Sequence, residues 1–202
     1  MIEIYGKAAT RARRVLWVAE ECGLEYTLHP ITPNTEEARD PAFLAINPNG
    51  RVPALRDGEL VIFESGAIAL HLARQAPGAG LIPADAADQA RHEQWLFWIA
   101  AELEQPLWFI AKHKSRLPEE LRRPDVEAAC MHEFHGHLAV LAGALEGRDH
   151  LVGDGFTVAD VFAAHTLMWA RSWGIELPAT LERYMKLHRG RPAFEATRRW
   201  DA

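Results

Sequence analysis

Apolar and polar positions follow two different rhythms along this chain. Through residue 76, short apolar runs of strand length stand between turns, with amphipathic helices among them. From residue 88 on, only helical spacing remains. Glu3-Ile4-Tyr5 predicts a first strand and Gly6-Lys7-Ala8-Ala9 a loop. Ala12, Val15, Leu16 and Ala19 recur at i, i+3, i+4, i+7, which predicts a helix with Thr10 as its N-cap. Gly23 stops it, and Leu24 is placed to touch Ala19 in a Schellman-type end. Tyr26 to His29 reads as a second strand, Ile31 to Asp40 as a polar loop, and Pro41 opens a short helix through Ile46. Asn47 to Pro53 is a turn ahead of Ala54-Leu55. Asp57-Gly58 is a hairpin signal, and Leu60 to Phe63 is a strand that hands over at Glu64-Ser65-Gly66 to a helix.

A helix between the first two strands implies a parallel crossover and the hairpin an antiparallel pair, so the expected sheet is mixed and four-stranded. Gln75 to Gly80 and Pro83 then break all periodicity. Beyond them the pattern predicts a helix from Asp88 to Lys114 kinked by Pro106, and helices over Asp125 to Leu145 and Val158 to Trp173. Two shorter ones follow, Pro178 to Arg189 and Pro192 to Trp200. Thr157 with Asp160 resembles a capping box and Phe156 a hydrophobic staple. The expected organisation is an α/β domain over residues 1–76, a linker over 77–87 and an all-helical domain over 88–202.

Two turns have chemistry of their own. A cis Val52-Pro53 bond would turn the Val52 N–H and C=O outward to pair with an extended ligand, as an added strand does. At Glu64-Ser65, unpaired helix-start N–H groups and the Ser65 hydroxyl favour a carboxylate. The plainer alternatives are a trans loop entry and an ordinary helix cap.

Composition narrows the class of protein. A formal net charge of −6 without a long basic block argues against nucleic acid as a general partner. No apolar run reaches membrane-span length and the start lacks a basic, then apolar, leader pattern, so a cytoplasmic location is the default expectation. Lys7, Arg11, Arg13, Arg14 and Arg51 fall near the two turns, although Arg13 reads as a solvated helix-face residue. Cys22 and Cys130 read as buried small residues, since no Cys-x-x-Cys spacing supports dithiol chemistry. His132, His135 and His137 invite a metal reading, but His137 is turned away from the other two and no fourth ligand is spaced to help. A solvated helix face is expected, and no metal.

NPNGRVPAL and FES, at this spacing, resemble the glutathione site of the cytosolic glutathione transferases. The resemblance covers nearly the whole chain and implies a thioredoxin-like first domain followed by a helical one. It implies that Val52, before Pro53, pairs with the cysteinyl backbone of glutathione, that Glu64 and Ser65 hold its γ-glutamyl end, and that Arg51 lies near the other end. Arg14-Val15 is the family's mark a few residues after the activating group. Thr10 stands where many bacterial members have serine, a departure from the usual Ser, Tyr or Cys. Tyr5 is a second candidate for that role.

The implied activity is transfer of glutathione, as co-substrate, to a small, apolar electrophile in detoxification. The second substrate is expected against the helix containing Trp98, Glu102, Trp108 and His113. Glutathione-dependent disulfide reduction or peroxidase activity is one alternative, although the Pro-Asn-Gly that follows Thr in that branch is absent. A non-catalytic transferase-like binding module is another. A homodimer is implied by resemblance alone.

Overall fold

The computed structural model describes residues 1–201. The chain divides into two compact units, one formed by Met1–Ile82 with the segment from Arg189 on, the other by Pro83–His188.

The first unit is built on a four-stranded mixed sheet. Strands β1 (Ile2–Tyr5), β2 (Tyr26–His29), β3 (Ala54–Asp57) and β4 (Leu60–Phe63) lie in the order β2-β1-β3-β4. β1 runs parallel to β2 across the crossover helix α1 (Ala12–Glu21), whereas β1/β3 and β3/β4 are antiparallel. Ile4 and Leu55 are fully buried in the sheet, as are Val15, Leu16 and Trp17 of α1 and Ile68 and Leu72 of α3 (Ser65–Gln75). The apolar stripe of α1 therefore faces the core as its spacing requires. The helix ends as expected, with the Leu24 N–H on the Ala19 carbonyl and Gly23 at φ 62°.

Its start differs from the sequence expectation. Thr10 is not the N-cap: α1 begins at Ala12, and the residue before it, Arg11, is itself helical. Thr10 sits one position earlier, its Oγ1 accepting the Ala12 N–H at 3.1 Å. The hydroxyl does the work of a cap from inside a turn. The short helix after the polar loop, α2, covers Pro41–Leu44.

In the second unit the expected continuous helix is broken before Pro106. α4 (Ala86–Trp98) runs into a widened turn over Ile99–Leu103, and α5 (Gln105–Ala111) follows. Proline has no N–H, and its ring crowds the carbonyl four residues back. The helix widens instead, with the Glu104 N–H reaching the Ile99 carbonyl at 3.0 Å, and the Gln105 side chain donates to the Ala100 carbonyl at 2.8 Å. α6 (Val126–Ala144), α7 (Val158–Ser172) and α8 (Ala179–Arg189) lie close to their expected spans.

The capping box is present, and it is larger than its motif. Asp160 Oδ2 accepts from the Thr157 N–H and hydroxyl, while Oδ1 accepts from the Leu151 N–H and from the Tyr184 hydroxyl at 2.6 Å. Burial and the neighbouring carboxylate push the Tyr184 phenol well above its ordinary pKa, so it stays a donor.

The last segment departs from the expected domain plan. α9 (Pro192–Ala196) and the turn over Thr197–Trp200 belong to the first unit and not to the helical one. Three contacts hold them there. Phe194 meets Trp17 edge-on at 4.9 Å, Arg191 forks onto Glu21 at 2.6 and 2.8 Å, and the Trp200 indole N–H donates to the Tyr26 hydroxyl at 3.0 Å.

Candidate functional site

Strand register brings three stretches to one end of the sheet. Tyr5 pairs with Ala54, and Ala54 pairs with Phe63. The loop after Tyr5, the turn before Ala54 and the Glu64-Ser65 turn after Phe63 therefore emerge together. The first two are in direct contact: a Cβ built on Gly6 would lie 2.7 Å from Ala12 Cβ and 3.3 Å from Val52 Cβ. Only a glycine lets the backbone pass this close, and its φ of 150° is one that side chains disfavour.

The Val52-Pro53 peptide is cis. Asn47, which the sequence reading treated only as part of a turn signal, organises the approach to it. It is 2 % exposed, donates through Nδ2 to the Arg51 carbonyl at 2.7 Å and accepts the Asn49 N–H on Oδ1 at 3.1 Å. The Gly50 N–H closes the turn on the Asn47 carbonyl at 2.9 Å. None of these bonds uses the Val52 N–H or C=O. Arg51 is exposed beside it. An asparagine side chain bridging its own turn is a recognised pattern and was the available signal in the sequence.

At the third stretch, Glu64 occupies the N-cap position of α3 with φ 73° and ψ 116°, a conformation costly for a residue with a Cβ. The Ile68 N–H bonds the Glu64 carbonyl at 3.0 Å. Glu64 points to solvent while Ser65 is buried as the first helical residue, so the ordinary-cap alternative for Ser65 does not hold. Strained backbone and an open helix start coincide here, the arrangement that receives a carboxylate or phosphate.

The two candidates for thiol activation differ sharply. Thr10 is half-buried, and its hydroxyl donates to the Lys7 carbonyl at 2.6 Å while accepting from the Ala12 N–H. Tyr5 is packed, stacked on His29 at 4.8 Å, with its hydroxyl on Glu3 Oε2 at 3.3 Å. Burial first, then the Glu3 charge, raises its pKa above the ordinary phenol value. Tyr5 is therefore the poorer candidate.

The second-substrate residues sit in different surroundings. Trp98 packs edge-on against Trp95 at 5.3 Å and His137 at 5.7 Å; Glu102 is exposed and Trp108 half-buried. His113 alone of the four borders a cavity of about 440 Å³, with Ile110, Lys114, Arg122 and Arg123. The histidine row is also not uniform: His132 and His135 are exposed, but His137 is half-buried against Trp98. Cys22 is half-buried where a buried residue was expected, and burial pushes its thiol up to about 11.

Among the described residues, His150, Asp160 and His188 bring possible ligand atoms within 4.8 Å of one another. Both Asp160 oxygens already accept two hydrogen bonds each, which fills the lone pairs a metal would need. That carboxylate serves the helix cap.

Comparison with known proteins gives the family. Residues 2–74 match the glutathione S-transferase N-terminal domain, and residues 121–200 match a glutathione S-transferase C-terminal domain. Glutathione S-transferase 3 of Zea mays is 31% identical over 97% of this chain and 92% of its own. Elongation factor 1-gamma of Prunus avium is 30% identical over 94% of this chain. The chain spans only about half of some relatives, 46% of that elongation factor and 57% of the glutathione S-transferase-like protein gedE of Aspergillus terreus, to which it is 36% identical over 60% of this chain. Among solved structures, the theta class glutathione S-transferase of Xanthomonas axonopodis pv. citri with glutathione bound superposes with a TM-score of 0.83. It is 31% identical and covers 97% of this chain and 96% of that one. The chain belongs to the glutathione S-transferase family.

Proposed function

We propose that the protein is a glutathione transferase that binds glutathione at this end of the sheet, stabilises its thiolate and adds it to a small apolar electrophile. One observation carries the reading: the Tyr5-Ala54-Phe63 register brings the Thr10 loop, Val52 and the Glu64-Ser65 turn to one place. In it, the Val52 backbone pairs with the cysteinyl part of the tripeptide, as an added strand does. The Ser65 hydroxyl and the first N–H groups of α3 take the γ-glutamyl carboxylate, Glu64 draws the amine, and Arg51 faces the other end. The glutathione-bound relative from Xanthomonas supports this assignment.

Thr10 is the activating residue in this reading. Its hydrogen swings from the Lys7 carbonyl to the thiolate while the oxygen keeps the Ala12 N–H. Lowering a thiol from about 8.5 by two units takes roughly 2.7 kcal/mol. A hydrogen bond to a charged partner supplies about 1.5 to 3 kcal/mol and a helix N-terminus about 0.3 to 1, so the sum, about 1.8 to 4 kcal/mol, brackets that figure before the lost Lys7 bond is subtracted from it. The thiolate then attacks the electrophile, which we assign to the helical unit near Trp98, Glu102, Trp108 and His113. The protein acts in the cytoplasm as a homodimer, which sedimentation at about twice the 22.7 kDa chain mass would support and a monomer mass would contradict.

A binding module without turnover is the second reading. The Thr10 hydrogen is already committed to a backbone carbonyl, and one relative is an elongation factor. Conjugation of glutathione to a reactive aryl halide, run beside reduction of a glutathione-linked disulfide, separates transferase, reductase and binding module. Thr10→Ala should raise the pKa of bound glutathione and lower conjugation at neutral pH, and Thr10→Ser should retain it. A bound-thiol pKa that Thr10→Ala leaves unchanged would remove Thr10 from the chemistry.

A further inference from the structure

Arg13 was expected on a solvated face, yet its side chain is only 13% exposed. Its guanidinium uses all three nitrogens. Nε donates to the Ala8 carbonyl at 3.0 Å, one terminal nitrogen to Thr197 Oγ1 at 2.8 Å, and the other to the Asp201 carboxylate. The same group lies 5.5 Å over the Phe194 ring. Thr197 is fully buried and its own hydroxyl donates to the Phe194 carbonyl at 2.6 Å, so its place is set by the C-terminal segment itself.

Ala8 is the link to chemistry. It follows Lys7, whose carbonyl receives both the Thr10 N–H and the Thr10 hydroxyl. The loop that carries Thr10 is thus pinned at two successive carbonyls, one from within by Thr10 and one from outside by Arg13. A lysine offers its three N–H groups from one point and lacks the planar fork that reaches three separated acceptors. The bond to exposed Asp201 adds little in water, whereas the bonds to Ala8 and buried Thr197 are sheltered.

We propose that Arg13 is a positioning residue for the Thr10 loop: it ties the Ala8 carbonyl to Thr197 and Asp201, so that the C-terminal segment sets where the Thr10 hydroxyl lies. The proposal rests on the glutathione reading above for its catalytic consequence, but not for its structural one. A misplacement of about 1 Å at a reacting group can lower a rate on the order of 100-fold, so the effect belongs on kcat and, while the bound thiol is protonated, not on glutathione affinity.

The test uses the full chain and two readouts. In the free protein, hydrogen exchange at the Thr10 and Ala12 amides should quicken roughly tenfold or more in Arg13→Met and in Thr197→Val, with the β1 and β3 amides unchanged. With glutathione bound, both variants should raise the thiol pKa and lower kcat at least severalfold, while the KM for glutathione, measured at a pH below the bound-thiol pKa, stays within about twofold. Should Arg13→Met not fold, Thr197→Val and Asp201→Ala together decide, because both leave the Arg13 bond to Ala8 in place and weaken its anchor, and an unchanged exchange rate at the amides of the Phe194 segment shows that losing the Thr197 bond to the Phe194 carbonyl has not loosened that segment itself. Loop exchange and bound-thiol pKa both equal to wild type would overturn the proposal. If wild-type protein binds no glutathione, the function reading fails, and the exchange data alone still decide whether Arg13 holds the loop.

Discussion

Replacing Gly6 by alanine is the sharpest probe of how the site is built. The new Cβ would meet Ala12 Cβ at 2.7 Å and Val52 Cβ at 3.3 Å. Ala12 is fully buried on α1 and cannot swing aside, so helix, loop or Val52 turn must shift. Overpacking of this kind costs about 1 to 3 kcal/mol, and φ of 150° adds about 1 to 3 for a side-chain-bearing residue. The expected loss is therefore about 2 to 6 kcal/mol, against the 5 to 15 or so that holds a typical domain together. Gly58→Ala is the control. Gly58 has φ 59° but nothing within 4 Å of its Cβ, so only the backbone term of about 1 to 2 kcal/mol applies. Urea denaturation of both variants measures the difference. Adding Ala12→Gly to Gly6→Ala removes the opposing methyl and should return at least about 1 kcal/mol as coupling. If Gly6→Ala and Gly58→Ala lose the same stability, close approach of the loop to α1 and Val52 is not what requires glycine there.

Asn47→Ala deletes three side-chain hydrogen bonds from a buried site and should cost about 1 to 3 kcal/mol in urea denaturation, with weaker glutathione binding because the turn before Val52 loosens; unchanged affinity would separate that turn from the ligand. Cys22, with its thiol pushed up to about 11, is protonated at neutral pH. Its alkylation at pH 7.5 should run roughly two orders of magnitude slower than that of a free thiol of pKa about 8.5 and should climb steadily up to about pH 11, whereas a plateau near pH 8.5 would contradict the desolvated environment.

Local chemistry was legible in the sequence. The stretch from Asn47 to Arg74 reads as turn, strand, hairpin, strand and helix because its Asn-Gly, Asp-Gly and proline signals act over a few residues. The capping box at Thr157 and Asp160 was legible for the same reason, although Tyr184, which completes it, comes from another helix. What escaped the reading depends on distant partners. Arg13 bonds Thr197, 184 residues away, and no periodicity along α1 distinguishes such a residue from a solvated one. The assignment of α9 to the first unit was hidden likewise, since an amphipathic helix does not say which core it covers. At Thr10 the composition was right for a capping hydroxyl, and the position was off by one because Arg11 is helical too.

Glutathione binding remains the claim on which the rest depends, and thermal unfolding with and without glutathione addresses it most directly. Ligand at 100 times its dissociation constant should add about 2.7 kcal/mol to the unfolding free energy. For a chain of this size that raises the melting temperature by about 5 to 10 °C, and Ser65→Ala should shrink the rise. A melting temperature that does not move at millimolar glutathione would contradict the account.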